Sequence, residues 1–152
     1  MKKSAKLLFI TMVGLLFFGL AYAQFAKPED AIEYRQSVMT ILGYHMGQMG
    51  AVVSGKKPYE KQAFFHNATI MEMLSTLPWE AFMTAGSDKG KTSLKSSALR
   101  EKDKFMAQAK TFETEIQKLA QAAAGDDFNA IKAQFGKVGK SCKSCHDDYR
   151  SK

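Results

Sequence analysis

The sequence predicts an all-α protein, an antiparallel up-and-down four-helix bundle. Apolar residues recur at spacings of three and four in four separate segments, as on one face of a helix. Only 3 prolines and 11 glycines interrupt the 152 residues, and no segment shows the alternation typical of a strand. Two cysteines exclude a disulfide-rich scaffold. Four amphipathic helices, joined mostly by short links, favour such a bundle.

The chain begins with a segment typical of an export signal. Three lysines lie within the first six residues, an uncharged apolar run of 14 residues follows, and Ala21-Tyr22-Ala23 supplies the small residues of a cleavage site. The apolar run is shorter than the ~18–20 residues that cross a bilayer. We therefore predict a cleaved signal peptide over 1–23, a mature domain over 24–152 without a membrane span, and a location in the periplasm.

The charge of the chain argues against a nucleic-acid partner. Lys and Arg number 22 against 15 Asp and Glu, but three of the lysines belong to the predicted signal peptide, and the mature domain keeps a net charge of +4. Its basic residues alternate with acidic ones instead of forming a stripe. We predict no nucleic-acid binding.

The first two helices are predicted from the residues that begin and end them. Pro28 suits a first helical turn, the two acidic residues after it suit the positive end of the helix dipole, and Gly55 ends the helix. Its inward stripe consists of Ile32, Arg35, Met39, Leu42, Met46, Met49 and Val53. The second helix is predicted from about Pro58 to Pro78. Its apolar face consists of Ala63, Ile70, Leu74 and Leu77.

The last two helices carry the clearest apolar stripes. The third is predicted from about Ser96 to Ala124, with Gly125 as the residue that ends it. Its inward face consists of Ala98, Phe105, Phe112, Ile116, Leu119 and Ala123. The fourth begins at Asp126 and Asp127. Its inward face consists of Phe128, Ile131, Phe135, Val138, Cys142, Cys145 and Tyr149.

One connection is longer than the others and indicates where a site lies. Pro78 to Ser93 spans about 15 residues, whereas links between bundle helices usually have ~2–8. In an up-and-down bundle, this link lies at the end where the first helix begins and the fourth finishes. Several chemically distinctive residues are predicted to converge there: Arg35, Met39, Trp79, Phe82, Cys142 to His146, and Arg150.

The strongest functional signal is Cys-Lys-Ser-Cys-His, which contains Cys142, Cys145 and His146. C-x-x-C-H is the attachment signature of c-type haem. Two thiols on one helical face reach the two vinyl groups of a porphyrin, and the histidine becomes the proximal iron ligand. A thioredoxin-like dithiol would follow a strand and open a helix. A zinc site needs further ligands, and His45 and His66 lack ligand spacing. A local disulfide does not explain the adjacent histidine.

With this motif near its C-terminus, on the last helix of a bundle, the chain resembles the class II cytochromes c, meaning cytochrome c′ and its low-spin relatives. The resemblance covers essentially all of 24–152 and implies a four-helix bundle with one covalently bound haem c at one end. Besides the haem motif, less specific segments carry it: Tyr34-Arg35-Gln36, Lys57-Pro58-Tyr59, Leu77-Pro78-Trp79, Val138-Gly139 and Tyr149-Arg150.

The resemblance implies charged and polar contacts around the haem. Arg35 and Gln36 match positions that contact the haem propionates, and Arg150 matches an arginine near the proximal histidine. An arginine within an apolar stripe needs an anion, which a propionate supplies. The alternative for Arg35 is a side chain that reaches solvent at the helix end.

Three further residues complete the predicted site. Trp79 and Phe82 match aromatic residues beside the porphyrin, although core packing alone also explains them. Asp88 is a candidate for the rim of the site, but the loop that carries it departs from the family in length and sequence.

Met39 distinguishes two functions. It lies four residues after Arg35, on the same helical face. Typical cytochrome c′ has a bulky apolar residue there and leaves the sixth iron position empty, whereas low-spin relatives use a methionine sulfur as sixth ligand. Met46 and Met49 lie ~10–15 Å deeper in the bundle. We predict that Met39 is the distal ligand; the alternative is a thioether that covers the iron without bonding to it.

Methionine ligation favours a carrier of single electrons, which is the predicted function, with redox proteins of the periplasm as partners. The alternative is a five-coordinate haem that binds nitric oxide or carbon monoxide, and a weaker alternative is a haem-free helical interaction module. No acid–base pair indicates an enzyme. The resemblance also implies a homodimer through the first two helices, with which exposed Val38, Ile41 and Val52 are compatible.

Overall fold

The computed structural model describes residues 25–151, whose regular structure is helical apart from one isolated β-bridge. The elements are α1 (Pro28–Val53), α2 (Lys61–Leu74), α3 (Trp79–Phe82), α4 (Ser97–Arg100), α5 (Lys102–Ala124) and α6 (Phe128–Tyr149). The four long helices form the bundle: α1 packs on α2, α2 on α5, and α5 on α6. The predicted fold class is confirmed. The predicted signal peptide lies outside the described residues, and within 25–151 no helix has the length and apolarity needed to cross a membrane.

Local signals explain where two of the four long helices begin. Pro28 occupies the first turn of α1, and two acidic residues follow it. The side chain of Asp127 caps α6 by accepting hydrogen bonds from the backbone N–H groups of Asn129 and Ala130, at 2.9 and 3.1 Å. The third predicted helix is interrupted, because Glu101 adopts φ −104° and ψ 40° and separates the single turn α4 from α5.

The core lies along the predicted faces of α5 and α6. Phe105, Ile116, Leu119, Ile131 and Val138 are at most 1% exposed, so the stripes of these two helices were predicted correctly. The burial of side chains that recur every three or four residues holds these helices against their neighbours.

The predicted inward face of α2 is wrong at two of its four residues, Ala63 and Leu77, whereas Ile70 and Leu74 are partly buried and Leu74 packs against the core. Its buried residues are Phe64, Ala68 and Met71, whereas Ala63 is exposed and Leu77 lies beyond the helix, 42% exposed. Apolar side chains surround most of this helix, so a second stripe one residue away is equally apolar. Packing against α1 and α5, not the pattern, selects the buried stripe.

The long link between α2 and α5 crosses one end of the bundle and holds the tail of the chain. The backbone N–H of Lys95 donates to the carbonyl of Tyr149 at 2.8 Å, and the N–H of Ser151 donates to the carbonyl of Ser93 at 2.8 Å. The Lys95 ammonium also donates to the carbonyls of Asp147 and Asp148, which lie in the last turn of α6. The link is therefore fixed beside the C-terminal end of α6.

Candidate haem site

A cavity of about 590 Å³ opens between α1, α5, α6 and the link. This volume lies within the ~300–1,000 Å³ of small-molecule and cofactor sites. Every predicted site residue except Asp88 lines it. The lining residues of that set are Arg35, Gln36, Met39, Trp79, Phe82, Cys142, Cys145, His146 and Arg150. The structure thus brings together side chains from both ends of the chain.

The last turns of α6 present two thiols and an imidazole to the cavity. Cys142 and Cys145 are free and half-buried. Burial raises the pKa of both thiols, and the neighbouring Cys142 and Asp148 help to raise that of Cys145 to about 11. Desolvation and the charge of Arg150 lower the pKa of His146, although Asp147 opposes them. The imidazole is therefore neutral at pH 7, the form that ligates metals.

Arg35 is a buried cation whose contacts in the described residues are with neutral groups. It is 2% exposed. Its Nη1 donates to the Ala81 carbonyl at 3.1 Å and to Ser87 Oγ at 2.8 Å. Its Nη2 donates to the Ser87 carbonyl at 2.5 Å and to Thr92 Oγ1 at 2.7 Å. Burial lowers the pKa of Arg35, and the more distant charge of Asp88 partly opposes that effect. A buried charge bonded to neutral oxygens alone favours an anion nearby.

The link residues that bond to Arg35 were missed by the sequence analysis. Ser87 is fully buried, and the hydroxyl of Thr92 also accepts from the N–H of Leu94. Serine and threonine in a loop carry no signal that distinguishes such contacts from solvated side chains. The predicted solvent-reaching alternative for Arg35 does not occur, because the link covers the guanidinium.

Gln36 and Asp88 lie at the outer part of this region. Gln36 is exposed, and its Nε2 donates to the Lys91 carbonyl at 3.0 Å. Asp88 does not line the cavity. It forms an ion pair with Lys89 at 3.2 Å and accepts a hydrogen bond from Ser96, which lowers its pKa. Asp88 thus braces the link, and Gln36 holds its outer edge.

An aromatic wall closes the cavity beside α5. The Trp79 ring stacks on Phe82, with centroids 6.0 Å apart, and meets the edges of Phe105 and Phe112 at 6.2 and 6.0 Å. Phe82 in turn lies 4.9 Å below the guanidinium carbon of Arg35. The indole Nε1 of Trp79 has no hydrogen-bond partner among residues 25–151. The wall therefore contains a buried donor that faces no protein acceptor.

The α1 side of the cavity is apolar beyond its first turns. Met39, Leu42, Gly43 and Met46 line it, and a Cβ added to Gly43 would meet nothing within 4 Å. The one hydroxyl there, on Thr40, already donates to the Gln36 carbonyl at 2.8 Å. This surface therefore presents bulky apolar side chains and the thioether sulfurs of two methionines, but no polar group that is free to form a hydrogen bond.

These features fit a haem. Two thiols and a neutral imidazole share one end of α6, as covalent attachment and iron ligation require. The buried cation of Arg35 suits a group that carries carboxylates, and the apolar wall suits a porphyrin face. The cavity therefore combines the groups that attach a haem, a charge for its carboxylates and an apolar wall for its ring.

Comparison with known proteins decides the family. A family model described as Cytochrome C′ matches residues 30–150. The chain belongs to the cytochrome c′ family. Its cofactor is one covalently attached c-type haem, as predicted, whereas the contacts of individual residues with that haem stay predictions.

Individual cytochromes c′ match nearly along their whole length. The protein from Alcaligenes xylosoxydans xylosoxydans is 44% identical over 131 residues, which cover 85% of this chain and 99% of that relative. The solved structure of cytochrome c prime from Shewanella frigidimarina has a TM-score of 0.83 and 41% identity, over 85% of this chain and 100% of that one.

A further solved relative carries a bound gas. The nitric oxide complex of a leucine-to-alanine variant of cytochrome c prime from Alcaligenes xylosoxidans has a TM-score of 0.79 and 40% identity, over 85% of this chain and 99% of that one.

Proposed function

We propose that this cytochrome c′ binds nitric oxide or carbon monoxide at its haem iron, on the side that Met39 covers. The observation that carries the proposal is the apolar α1 wall, which lacks a free polar or charged side chain. The nitric oxide complex of the Alcaligenes xylosoxidans variant, and a carbon monoxide complex of another variant of that protein, support it. These comparisons favour gas binding over the predicted electron carrier.

The thiols of Cys142 and Cys145 would hold the haem through thioether bonds, and His146 would ligate the iron from the α6 side. When bound, the haem supplies an iron coordination position that takes small diatomic ligands. Each thioether bond would form by addition of a thiol S–H across a vinyl group, which needs no further reagent, and the neutral imidazole suits iron. Arg150, two residues from Asp148, adds a positive charge on the same side of the cavity.

The α1 wall would select the ligand. Met39, Leu42 and Met46 exclude charged molecules because these side chains leave no partner for a buried charge. A small uncharged diatomic has no such need. Bulk at Met39 would weaken every ligand on this side, so the size of this residue sets the affinity.

An electron carrier remains the second candidate, and the thioether of Met39 is the observation that favours it. This side chain lies one helical turn from Arg35 and lines the same cavity as His146. Ligation by Met39 would fill both axial positions and favour electron transfer with other proteins of the periplasm.

Location and assembly are part of the proposal. Export to the periplasm rests on the predicted signal peptide. A homodimer through α1 and α2 is supported by exposed apolar side chains on or next to these helices, which are Ile41, Tyr44, Phe65, Met73 and Leu77. Of the three residues predicted for that face, Ile41 is exposed and Val52 is partly buried. The prediction that Val38 is exposed is wrong, because this side chain is 6% exposed and packs in the core.

Spectra of the haem-loaded protein test the proposal. We expect a high-spin absorption spectrum that Met39→Ala leaves high-spin, together with carbon monoxide affinity at least about tenfold higher in the variant. Met49→Ala is the control: it makes the same chemical change on α1 at a core residue outside the cavity. A low-spin spectrum with a sulfur-to-iron charge-transfer band, lost in Met39→Ala, would establish ligation and the electron carrier instead.

A further inference from the structure

Charges are distributed unevenly along α6. Acidic and basic residues alternate over most of the mature chain, but between 128 and 146 the sequence contains four lysines and no Asp or Glu. Three of them, Lys137, Lys140 and Lys143, recur every third residue and are exposed, and we call them the lysine face. They extend over ~9 Å of the helix axis. The second half of α6 therefore presents a concentrated positive charge to solvent.

This positive charge is largely unneutralised. Two side chains of the lysine face form no ion pair within residues 25–151, and the third, Lys143, pairs with Asp147 in an exposed contact that water weakens. The Glu115 carboxylate on α5 feels the charge of Lys137, but it pairs with Lys118 at 3.0 Å. A cluster of like charges without internal partners attracts molecules of the opposite charge.

The lysine face borders the opening of the haem cavity. Lys143 stands between Cys142 and Cys145 in the sequence. In the described part of the chain, α6 packs closely only on α5, and the cavity lies between α6 and α1. Exposed residues line the cavity on both sides of this gap, and they are Gln36, Thr40 and Gly43 on α1 and His146 and Arg150 on α6. The cavity therefore opens to solvent beside the lysines.

The other cations at this opening add to the same potential. Arg150 lines the cavity, and Lys91, whose carbonyl accepts a hydrogen bond from Gln36, is exposed on the link. Neither forms an ion pair within residues 25–151. The exposed lining residues of α1 are uncharged, and the acidic Glu33 lies about one turn before Gln36. An acidic surface that covers the opening would thus meet complementary charge on α6 and on the link.

We propose that the lysine face docks an acidic protein that donates single electrons to the haem. The partner gives up one electron and the iron accepts it, while the cations of this chain attract and orient the partner. Both candidate functions need such a donor, because carbon monoxide binds ferrous haem and a carrier must be reduced before it passes an electron on. The position beside the cysteines favours a protein over a membrane, since the donor group has to approach the edge of the haem. The proposal rests on the haem attachment and not on the identity of the sixth iron ligand.

Reduced flavodoxin, an acidic one-electron donor, serves as the probe. Stopped-flow absorption measures the rate constant with which it reduces the haem-loaded protein at low and at high salt. The face variant replaces all three lysines of the lysine face with glutamine, which is about as favourable in a helix as lysine. The control variant removes the same charge at the opposite end of the bundle, where it combines Lys56→Gln, Lys57→Gln and Lys61→Gln.

At low salt, we expect the rate constant to fall about tenfold in the face variant and less than about twofold in the control variant, because only the first loses the attraction beside the haem. At ~1 M salt the wild type and the face variant should react at the same rate, since screening removes that attraction. Equal rates in the two variants at low salt would overturn the proposal.

Acetylation of lysines, detected by mass spectrometry, locates the contact without depending on electron transfer. Bound flavodoxin should protect the lysine face and leave Lys56 and Lys57 reactive. Protection of those two lysines instead would overturn the proposal. Protection of the lysine face by phosphatidylglycerol vesicles but not by flavodoxin would overturn it in favour of a membrane surface. A negative pyridine haemochrome assay would show separately that haem attachment has failed, and the acetylation pattern would still decide whether the face docks an acidic protein.

Discussion

Replacing Arg35 with methionine should loosen the link between α2 and α5. Methionine fills a similar volume but donates nothing, so four hydrogen bonds disappear. The oxygens that accept from Arg35 differ in whether another donor remains for them. The Ala81 carbonyl still accepts from Ser87 Oγ at 3.3 Å, and Thr92 Oγ1 still accepts from the N–H of Leu94 at 3.1 Å.

The carbonyl of Ser87 loses its donor in a residue that is fully buried. One orphaned buried carbonyl costs about 1–3 kcal/mol, and the lost charge-assisted bonds add about 1.5–3 kcal/mol. Removing the buried charge returns part of that sum, because its desolvation penalty also disappears. We therefore expect Arg35→Met to lower the free energy of unfolding by about 2–4 kcal/mol.

Urea unfolding of the haem-loaded protein measures this loss, which corresponds to a midpoint about 1–2 M lower. Limited proteolysis adds a local measure, because trypsin should cut the link at Lys89 and Lys91 faster in the variant. Gln36→Ala is the matched control: it removes one exposed hydrogen bond to the same link and should change stability by less than about 0.5 kcal/mol. An Arg35→Met variant as stable as this control, with an equally resistant link, would refute the reasoning.

Three further outcomes follow from single residues. In the chain without haem, alkylation of Cys145 at pH 8 should be about 100-fold slower than that of an unperturbed thiol, because the raised pKa keeps the thiol protonated. The alkylation rate should keep rising with pH up to about 11. A rate that levels off near pH 9 would contradict this prediction. In urea titrations, Asp127→Ala should lower the free energy of unfolding by about 1 kcal/mol, because the cap of α6 is lost. The control Asp126→Ala removes only an exposed ion pair with Lys61 and should lower it by less than about 0.5 kcal/mol. Equal losses in the two variants would contradict the capping role. Ile116→Ala should cost about 2–5 kcal/mol in the same assay because the side chain is fully buried, and a loss below about 1 would mean that the core closes around the cavity.

Local chemistry explains the parts of the structure that the sequence predicted. The cap at Asp127 and the regular stripes of α5 and α6 depend on residues within one or two turns of each other. The haem motif is local too, since its two cysteines and its histidine lie within five residues. Convergence of distant residues on one cavity followed from the up-and-down topology together with one long link.

The sequence predictions failed where contacts with a distant part of the chain determine the local structure. The inward face of α2 depends on which of two apolar stripes meets α1 and α5, and the pattern contains both. The break at Glu101 has no proline or glycine to announce it. The partners of Arg35 lie 46 to 57 residues away, in a link whose serines and threonines resemble those of any solvated loop.

The position of Trp79 gives the protein a built-in optical reporter. Its ring is buried in the wall of the haem cavity, and the chain contains no other tryptophan. Indole emission overlaps the strong near-ultraviolet absorption of haem, so a haem bound in this cavity extinguishes the fluorescence by energy transfer. A chain that has folded without haem would instead emit at the short wavelengths typical of a buried indole. Haem attachment during maturation can thus be followed, without a label, as the loss of Trp79 fluorescence.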